Sequence, residues 1–519
     1  MLIPSGSSNP LTAFITQQSE IYYYLTLFGM ALLLALTIYG VLPLLGISMV
    51  SNFLSANNLI SLVALFIGIV IYYPYLKLCK KYPDQFLLAI LALLPWFTFI
   101  TKIAVWVGIN FPQTVLLLFL FVIPTVWIVY KYLFSMLKTS PLLTCFSSFW
   151  LLMVIYFIWF DHPIVHPSAV ASGKASMSIH ALTAVTLTWF SLQLGTYVAY
   201  WVKEPKRLLG KLTITVTIMT LILSITTIAF YPFKILTTYT DGVLRSQSLF
   251  FSPGQFAYYL AMLLIYLEGM YFYNKKNMHI SPVWQKAVVL AIIMGFISLC
   301  LTISKNSISA FIGASVIFQV LLLLKAENKL NVVLKLVAFP VLLLVGLFLF
   351  ENLTGISIFE NLSHRMNDDT SLLWRYKSWD YVLSDIDMYS VWLGHGLTAA
   401  VERMSYLEVS KFNRIFIPGN VHNDYLEFLY DFGIAGLIVF IYCFISLFKN
   451  LIYPFRANCY SQNAELYYIA AGLILIFLIT CATGICFEAT ENPFWILIIL
   501  LVSGASRISK NFKDVQSHG

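Results

Sequence analysis

The chain has 519 residues, of which 60% are hydrophobic and only 10% charged, with a mean hydropathy of +0.84. A soluble domain of this length needs far more surface charge, so a water-soluble fold is excluded and an integral membrane protein is predicted. The net charge of +8 follows membrane topology along the chain, which leaves a nucleic-acid partner without support.

Apolar runs near bilayer-spanning length occur at 22–47, 56–76, 85–108, 113–134, 141–160, 178–202, 212–231, 254–273, 285–304, 307–324, 332–350, 433–453, 466–486 and 492–506. They predict an all-α polytopic membrane protein of about 12–14 transmembrane helices with one large extracytoplasmic loop containing amphipathic helices. Residues 1–350 hold the N-terminal spans, 351–432 the loop, and 433–519 the C-terminal spans and a tail. The first 21 residues lack Lys and Arg, and the first apolar run is long for a cleaved peptide, so a retained signal anchor is expected.

Alternate connections carry clusters of positive charge: Lys77, Lys80 and Lys81; Lys131 and Lys138; Lys203, Lys206, Arg207 and Lys211; Lys275, Lys276 and Lys286; Lys325, Lys329 and Lys335; Lys449 and Arg456. Outside the long loop, the opposite side has only Lys102, Lys174, Lys234, Arg245 and Lys305. By the positive-inside rule both termini are cytoplasmic and the long loop lies outside. None of the seven cysteines falls in that loop, so no disulfide framework is expected there.

Polar groups gather on the outer side. His162 and His166 have i, i+4 spacing, but Pro163 and Pro167 interrupt a helix and no third ligand is near, so an interfacial loop is favoured over a metal site. After the seventh span, Asp241-Gly242 signals a turn, Arg245 sits near the interface and Ser252-Pro253-Gly254 opens a helix. A helix N-terminus beside an Arg suits an anion; an Arg reaching to lipid headgroups is the alternative. Lys305 lies amid Ser304, Asn306, Ser307 and Ser309, where an ionisable group faces a cavity or is an ordinary interfacial Lys.

Within the loop, Asp368, Asp369, Thr370 and Ser371 offer N-cap chemistry for a helix over Leu372–Asp385. Leu372, Tyr376, Trp379 and Leu383 form its apolar stripe, and Arg375 precedes Trp379 by four residues, within cation–π reach. Arg375 suits bidentate phosphate contact, or is a solvated charge. In WLGHGLT, Gly394 and Gly396 flank His395 and predict a structural turn.

His422, in Pro418-Gly419-Asn420-Val421-His422-Asn423-Asp424, falls near the start of a helix bearing Leu426, Leu429 and Phe432, with Gly433 as its terminator. A helix N-terminus disfavours imidazolium, which leaves a ring able to accept a proton, or one that only caps or packs. Glu488 and Glu491 read as a polar turn near the last span. No nucleotide-binding glycine loop, zinc motif or internal repeat is present in the sequence.

These residues resemble the O-antigen ligases and O-antigen polymerase-like proteins of the bacterial envelope, over roughly residues 235–440. The specific likenesses are VHNDYLEFLYDFGIAGL, with Gly433 and Gly436; the Arg-x3-Trp helix and Gly-x-Gly turn of LLWRYKSWDYVLSDIDMYSVWLGHG; LRSQSLFFSPGQ; and LTISKNSIS, with Lys305 where the family carries Arg. A Lys keeps the charge but loses the bidentate fork.

The resemblance implies a metal-independent glycosyltransferase in the bacterial cytoplasmic membrane, using no cofactor or nucleotide sugar. It would move a glycan from a polyprenyl-diphosphate carrier to an acceptor hydroxyl on another glycan, a lipid A core or a protein. By the same resemblance, Arg375, Arg245 and Lys305 hold the diphosphate and His422 takes the hydroxyl proton. A transporter or flippase for lipid-linked sugars is the competing class; it predicts repeated halves, whereas this chain concentrates its polar residues on one side.

Overall fold

The computed structural model describes residues 72–106, 118–133, 136–137, 141–161, 174–201, 205–240, 243–250, 252–277, 280–325, 329–366, 370–407, 409–411, 414–416, 421–458, 464–482 and 497. The expected spans at 22–47 and 492–506 (Leu497 apart), most of 56–76, and both termini lie outside these residues. So do Asp241-Gly242, Asp368, Asp369, His162, His166, Pro418 to Asn420, Glu488 and Glu491. The chain divides into two compact units, Met1–Lys131 and Tyr132–Gly519.

In the first unit a helical segment over 72–81 precedes α1 (Pro83–Trp106), and a π-helical turn (Leu118–Val122) leads into α2 (Ile123–Val129). Buried Tyr75 joins them: its hydroxyl donates to the Leu120 carbonyl at 2.7 Å, and its ring meets Phe86 edge-on. A buried phenol needs such a partner where no water can supply one.

The second unit contains α3 (Pro141–Tyr156), α4 (Lys174–Trp201), α5 (Pro205–Phe230), a hairpin of β1 (Thr237–Thr240) and β2 (Val243–Ser246), α6 (Pro253–Asn277), α7 (Pro282–Leu301), α8 (Lys305–Lys325) and α9 (Lys329–Thr354). The segment after α9 folds as α10 (Ile358–Met366), α11 (Thr370–Leu383), α12 (Ser390–Leu393), α13 (Ala399–Met404) and a second hairpin of β3 (Val409–Lys411) and β4 (Arg414–Phe416). It ends in α14 (Asp424–Asn458), followed by α15 (Ala464–Cys481).

Among the described residues, six helices are long and apolar enough to cross a membrane: Arg207–Phe230, Pro253–Tyr273, Pro282–Leu301, Lys305–Leu324, Asp424–Cys443 and Ala464–Cys481. The protein is a multi-pass, all-α membrane protein, with the two short hairpins as its only strands among the described residues.

Small residues set the closest helix contacts, as expected where lipid supplies no hydrophobic drive between helices. A Cβ on Gly269 of α6 would stand 2.0 Å from the Ile469 side chain of α15, and one on Gly472 of α15 would stand 2.8 Å from Ile265. Polar side chains join α6 to a second neighbour, α8. Buried Glu268 of α6 accepts hydrogen bonds from Ser315 Oγ and Gln319 Nε2 of α8, both at 2.8 Å. Between α3 and α4, Trp150 and Trp189 stack at 4.3 Å, and their indole N–H groups donate to Thr186 and Ser147. Phe149 of α3 meets Phe428, Phe432 and Phe440 of α14, tying the helix that follows His422 to the membrane bundle.

Candidate functional site

The site is built on α11 and the start of α14. α11 begins at Thr370, two residues before the predicted start, and its buried edge differs from the predicted stripe. Ser378 and Val382 are fully buried, while Tyr376 and Leu383 are exposed. Val382 belongs to a small apolar core with Ala399, Ala400, Met404, Val421 and Tyr430, against which Trp379 packs. The predicted pairing of Arg375 with Trp379 is likewise replaced. Trp379 meets Tyr376 edge-on at 5.3 Å and donates its indole N–H to the Val421 carbonyl at 3.0 Å, whereas Arg375 lies over Trp374 at 5.6 Å.

The Trp379 bond fixes the residue immediately before His422. His422 has a left-handed backbone, φ 54, and its ring meets Trp374 edge-on with centroids 5.2 Å apart. Arg375 and His422, 47 positions apart in the chain (422 − 375), are thus gathered around one indole. Burial, and after it the charge of Arg375, pulls the His422 imidazole down from 6.5 to about 4. The ring is neutral at physiological pH, as its place before a helix predicts, but the causes are desolvation and a neighbouring cation. The helix N-terminus has its own cap. Asn423 Oδ1 accepts the N–H groups of Tyr425 at 3.1 Å and Leu426 at 3.2 Å, so Asn423 and not His422 caps the helix.

The Gly394-His395-Gly396 turn is structural, as predicted. Gly394 and Gly396 have φ 73 and 107. The N–H groups of His395 and Gly396 donate to the carbonyls of Tyr430 and Asp431, at 2.9 and 3.0 Å. His395 stacks on Tyr430 at 4.2 Å. Gly433, at φ 65, breaks the helix as expected, but the helix resumes beyond it, so it makes a kink rather than an end. Three residues went unnoticed in the sequence. Trp374 carries the Arg375–His422 pairing. Asp431 is buried and accepts the N–H groups of Thr398 and Ala400, both at 2.7 Å. Asp385 accepts the Tyr430 hydroxyl and pairs with Arg403 at 3.3 Å. Only Trp374 had a usable signal, its adjacency to Arg375.

Arg245 and Lys305 form a second grouping. The Arg245 Nε–H donates to the Thr302 carbonyl at 2.8 Å. Thr302 belongs to the tight turn leading into Lys305, the first residue of α8, where Ile303 has φ 51 and the Thr302 hydroxyl accepts the Ser304 N–H. The β1–β2 hairpin, which hydropathy does not foresee, presents Arg245 to this turn. Helix α10 packs on α7 and α8, and the chain passes from it to α11 within four residues. No three His, Cys, Asp or Glu side chains come together as a metal-ligand set among the described residues.

Residues 289–441 match the family model described as O-antigen ligase. The chain is O-antigen ligase-like over that segment. The ligase-like segment takes in Lys305, Arg375, the Gly394 turn, His422 and Gly433, while Arg245 lies before it. No curated protein matches the chain.

Proposed function

We propose that the protein transfers a glycan from a polyprenyl-diphosphate carrier to an acceptor hydroxyl at the outer face of the cytoplasmic membrane, with both termini cytoplasmic. The observation that carries this reading is the pairing of a neutral His422 with Arg375 around Trp374. The acceptor hydroxyl attacks the anomeric carbon of the donor sugar. The bond from that carbon to the diphosphate oxygen breaks, a glycosidic bond forms, and the hydroxyl proton passes to His422. Arg375, with Arg245 and Lys305, holds the diphosphate where negative charge grows as it leaves.

The pairing also times the base. Arg375 contributes to holding the imidazole low, so a diphosphate seated on Arg375 cancels that charge and raises His422 basicity when donor is present. The ligase-like segment supports glycan transfer in general. The acceptor is another glycan or a lipid A core in this reading. Loss of chain length, of core attachment or of protein glycosylation after gene deletion separates the acceptor classes.

The test is transfer in liposomes supplied with a polyprenyl-diphosphate glycan and an acceptor. His422→Ala is expected to abolish transfer while the protein remains folded. Transfer at the parent rate in that variant sinks the mechanism, and substrate movement across the bilayer without a new glycosidic bond establishes a transporter instead.

A further inference from the structure

Between α11 and the Gly394 turn lies a stretch of sequence, Met388-Tyr389-Ser390-Val391-Trp392-Leu393, that contains no charged residue. Such a run inside a polar segment is expected to bury itself. Instead Met388 and Tyr389 are 83% and 86% exposed, and Trp392 and Leu393 are exposed as well. The exposure is built in. Asp387 Oδ1 accepts the N–H groups of Tyr389 and Ser390 at 2.9 and 2.7 Å, and Ser390 Oγ accepts the Asp387 N–H at 2.8 Å, so the turn is held with its apolar side chains outward. At its end the Tyr156 hydroxyl of α3 donates to the Leu393 carbonyl at 2.6 Å.

That bond identifies the surroundings of the turn. Tyr156 ends α3, whose exposed Leu151 and Ile155 are followed by exposed Ile158 and Trp159 in the π-helical turn Phe157–Asp161 that continues the helix. Together they make an exposed apolar stripe closed by a Trp. The exposed turn continues the stripe with a second Trp and a Tyr, the side chains that collect at the membrane–water boundary. Asp385 and Asp387 mark its water side. We infer that residues 388–393 are an interfacial anchor, seated in the headgroup region of the leaflet reached by the Tyr156 end of α3. Gly394 follows directly and packs on Asp431, so the anchor joins the bilayer surface to the part of α14 that follows His422.

The experiment uses the full-length protein in phosphatidylethanolamine–phosphatidylglycerol liposomes, with nitroxide labels at Met388→Cys and Tyr389→Cys. Label carried by the native cysteines is measured on the parent protein and subtracted. Tyr406→Cys, also at an exposed position, is the aqueous reference. Oxygen is expected to reach the labels at 388 and 389 better than a water-soluble nickel chelate does, with the reverse at 406. Two results overturn the anchor. One is nickel accessibility at 388 and 389 equal to that at 406. The other is labels immobilised and shielded from both agents in detergent as in liposomes, which shows a protein partner or second copy on the turn. Both positions are exposed, so loss of folding at one leaves the other to decide.

Discussion

Gly433→Ala tests whether the kink in α14 and the turn after α12 hold the site together. A Cβ at Gly433 would stand 2.4 Å from the carbonyl carbon and oxygen of Trp392, and one at Gly394 would stand 2.2 Å from the Asp431 oxygen. These obstacles are backbone, which cannot swing aside as a side chain does. Reaching an ordinary 3.4 Å contact requires the two segments to part by about 1 Å. The backbone at φ 65 and ψ −167 lies in a region essentially confined to glycine and adds about 1–3 kcal/mol for a residue with a Cβ. Parting also weakens the His395 and Gly396 N–H bonds to Tyr430 and Asp431, about 1 kcal/mol each. The sum is a destabilisation of roughly 3–5 kcal/mol. A shift of about 1 Å near the site lowers transfer on the order of 100-fold in protein that still folds. Thermal unfolding in detergent and transfer in liposomes read the two effects separately. Gly313→Ala is the control: it sits in α8 with nothing within 4 Å of the added methyl, so Ala there leaves stability unchanged or raises it by up to about 1 kcal/mol. Gly433→Ala protein that melts and transfers like the parent refutes the reasoning.

The depressed His422 gives a signed pH dependence. Its folded value of about 4 lies below the unfolded value of 6.5, so the unfolded chain binds the proton first, and stability falls as pH drops from about 6.5 toward about 4. His422→Gln removes that slope in pH-dependent unfolding, and identical slopes in both proteins count against the assignment. Arg375→Ala moves the acid limb of the transfer rate upward only in part, because burial is the larger cause. Asp431→Asn replaces one of two carboxylate oxygens that accept Thr398 and Ala400, setting an amide donor against a backbone N–H; a loss of about 1–3 kcal/mol is expected in thermal unfolding. Trp379→Phe keeps the packing but removes the bond to Val421, costing about 1 kcal/mol and slowing transfer by loosening the residue before His422. An unchanged rate shows that the bond does not position the histidine.

The membrane helices were legible because a bilayer imposes a length on an apolar run, and few other signals compete with it. The runs at 254–273, 285–304 and 307–324 became Pro253–Asn277, Pro282–Leu301 and Lys305–Lys325. The outer segment obeys no such rule, and there hydrophobicity misled. On α11 the exposed Tyr376 and Leu383 lie off the buried edge of Ser378 and Val382, because the Ala399, Ala400 and Met404 side chains that share the core with Val382 come from a later segment of the chain. The hairpins escaped because strands of three or four residues are defined by their partners, as Thr238 and Arg245 are by each other.

The same division runs through the site. Arg375 and His422 were legible singly from their chemistry, but the Trp374 indole between them depends on where two distant segments meet. That meeting is fixed by contacts no motif advertises: an indole N–H on the Val421 carbonyl, a carboxylate under Thr398 and Ala400, and two glycines each set against the backbone just before the other. Each joins α11, α12 or α13 to α14 or to the residues just before it, and none involves a side chain of the proposed chemistry. A chain keeping Arg375 and His422 but carrying Cβ atoms at both Gly394 and Gly433 would therefore retain the sequence signature of the site and lose its geometry.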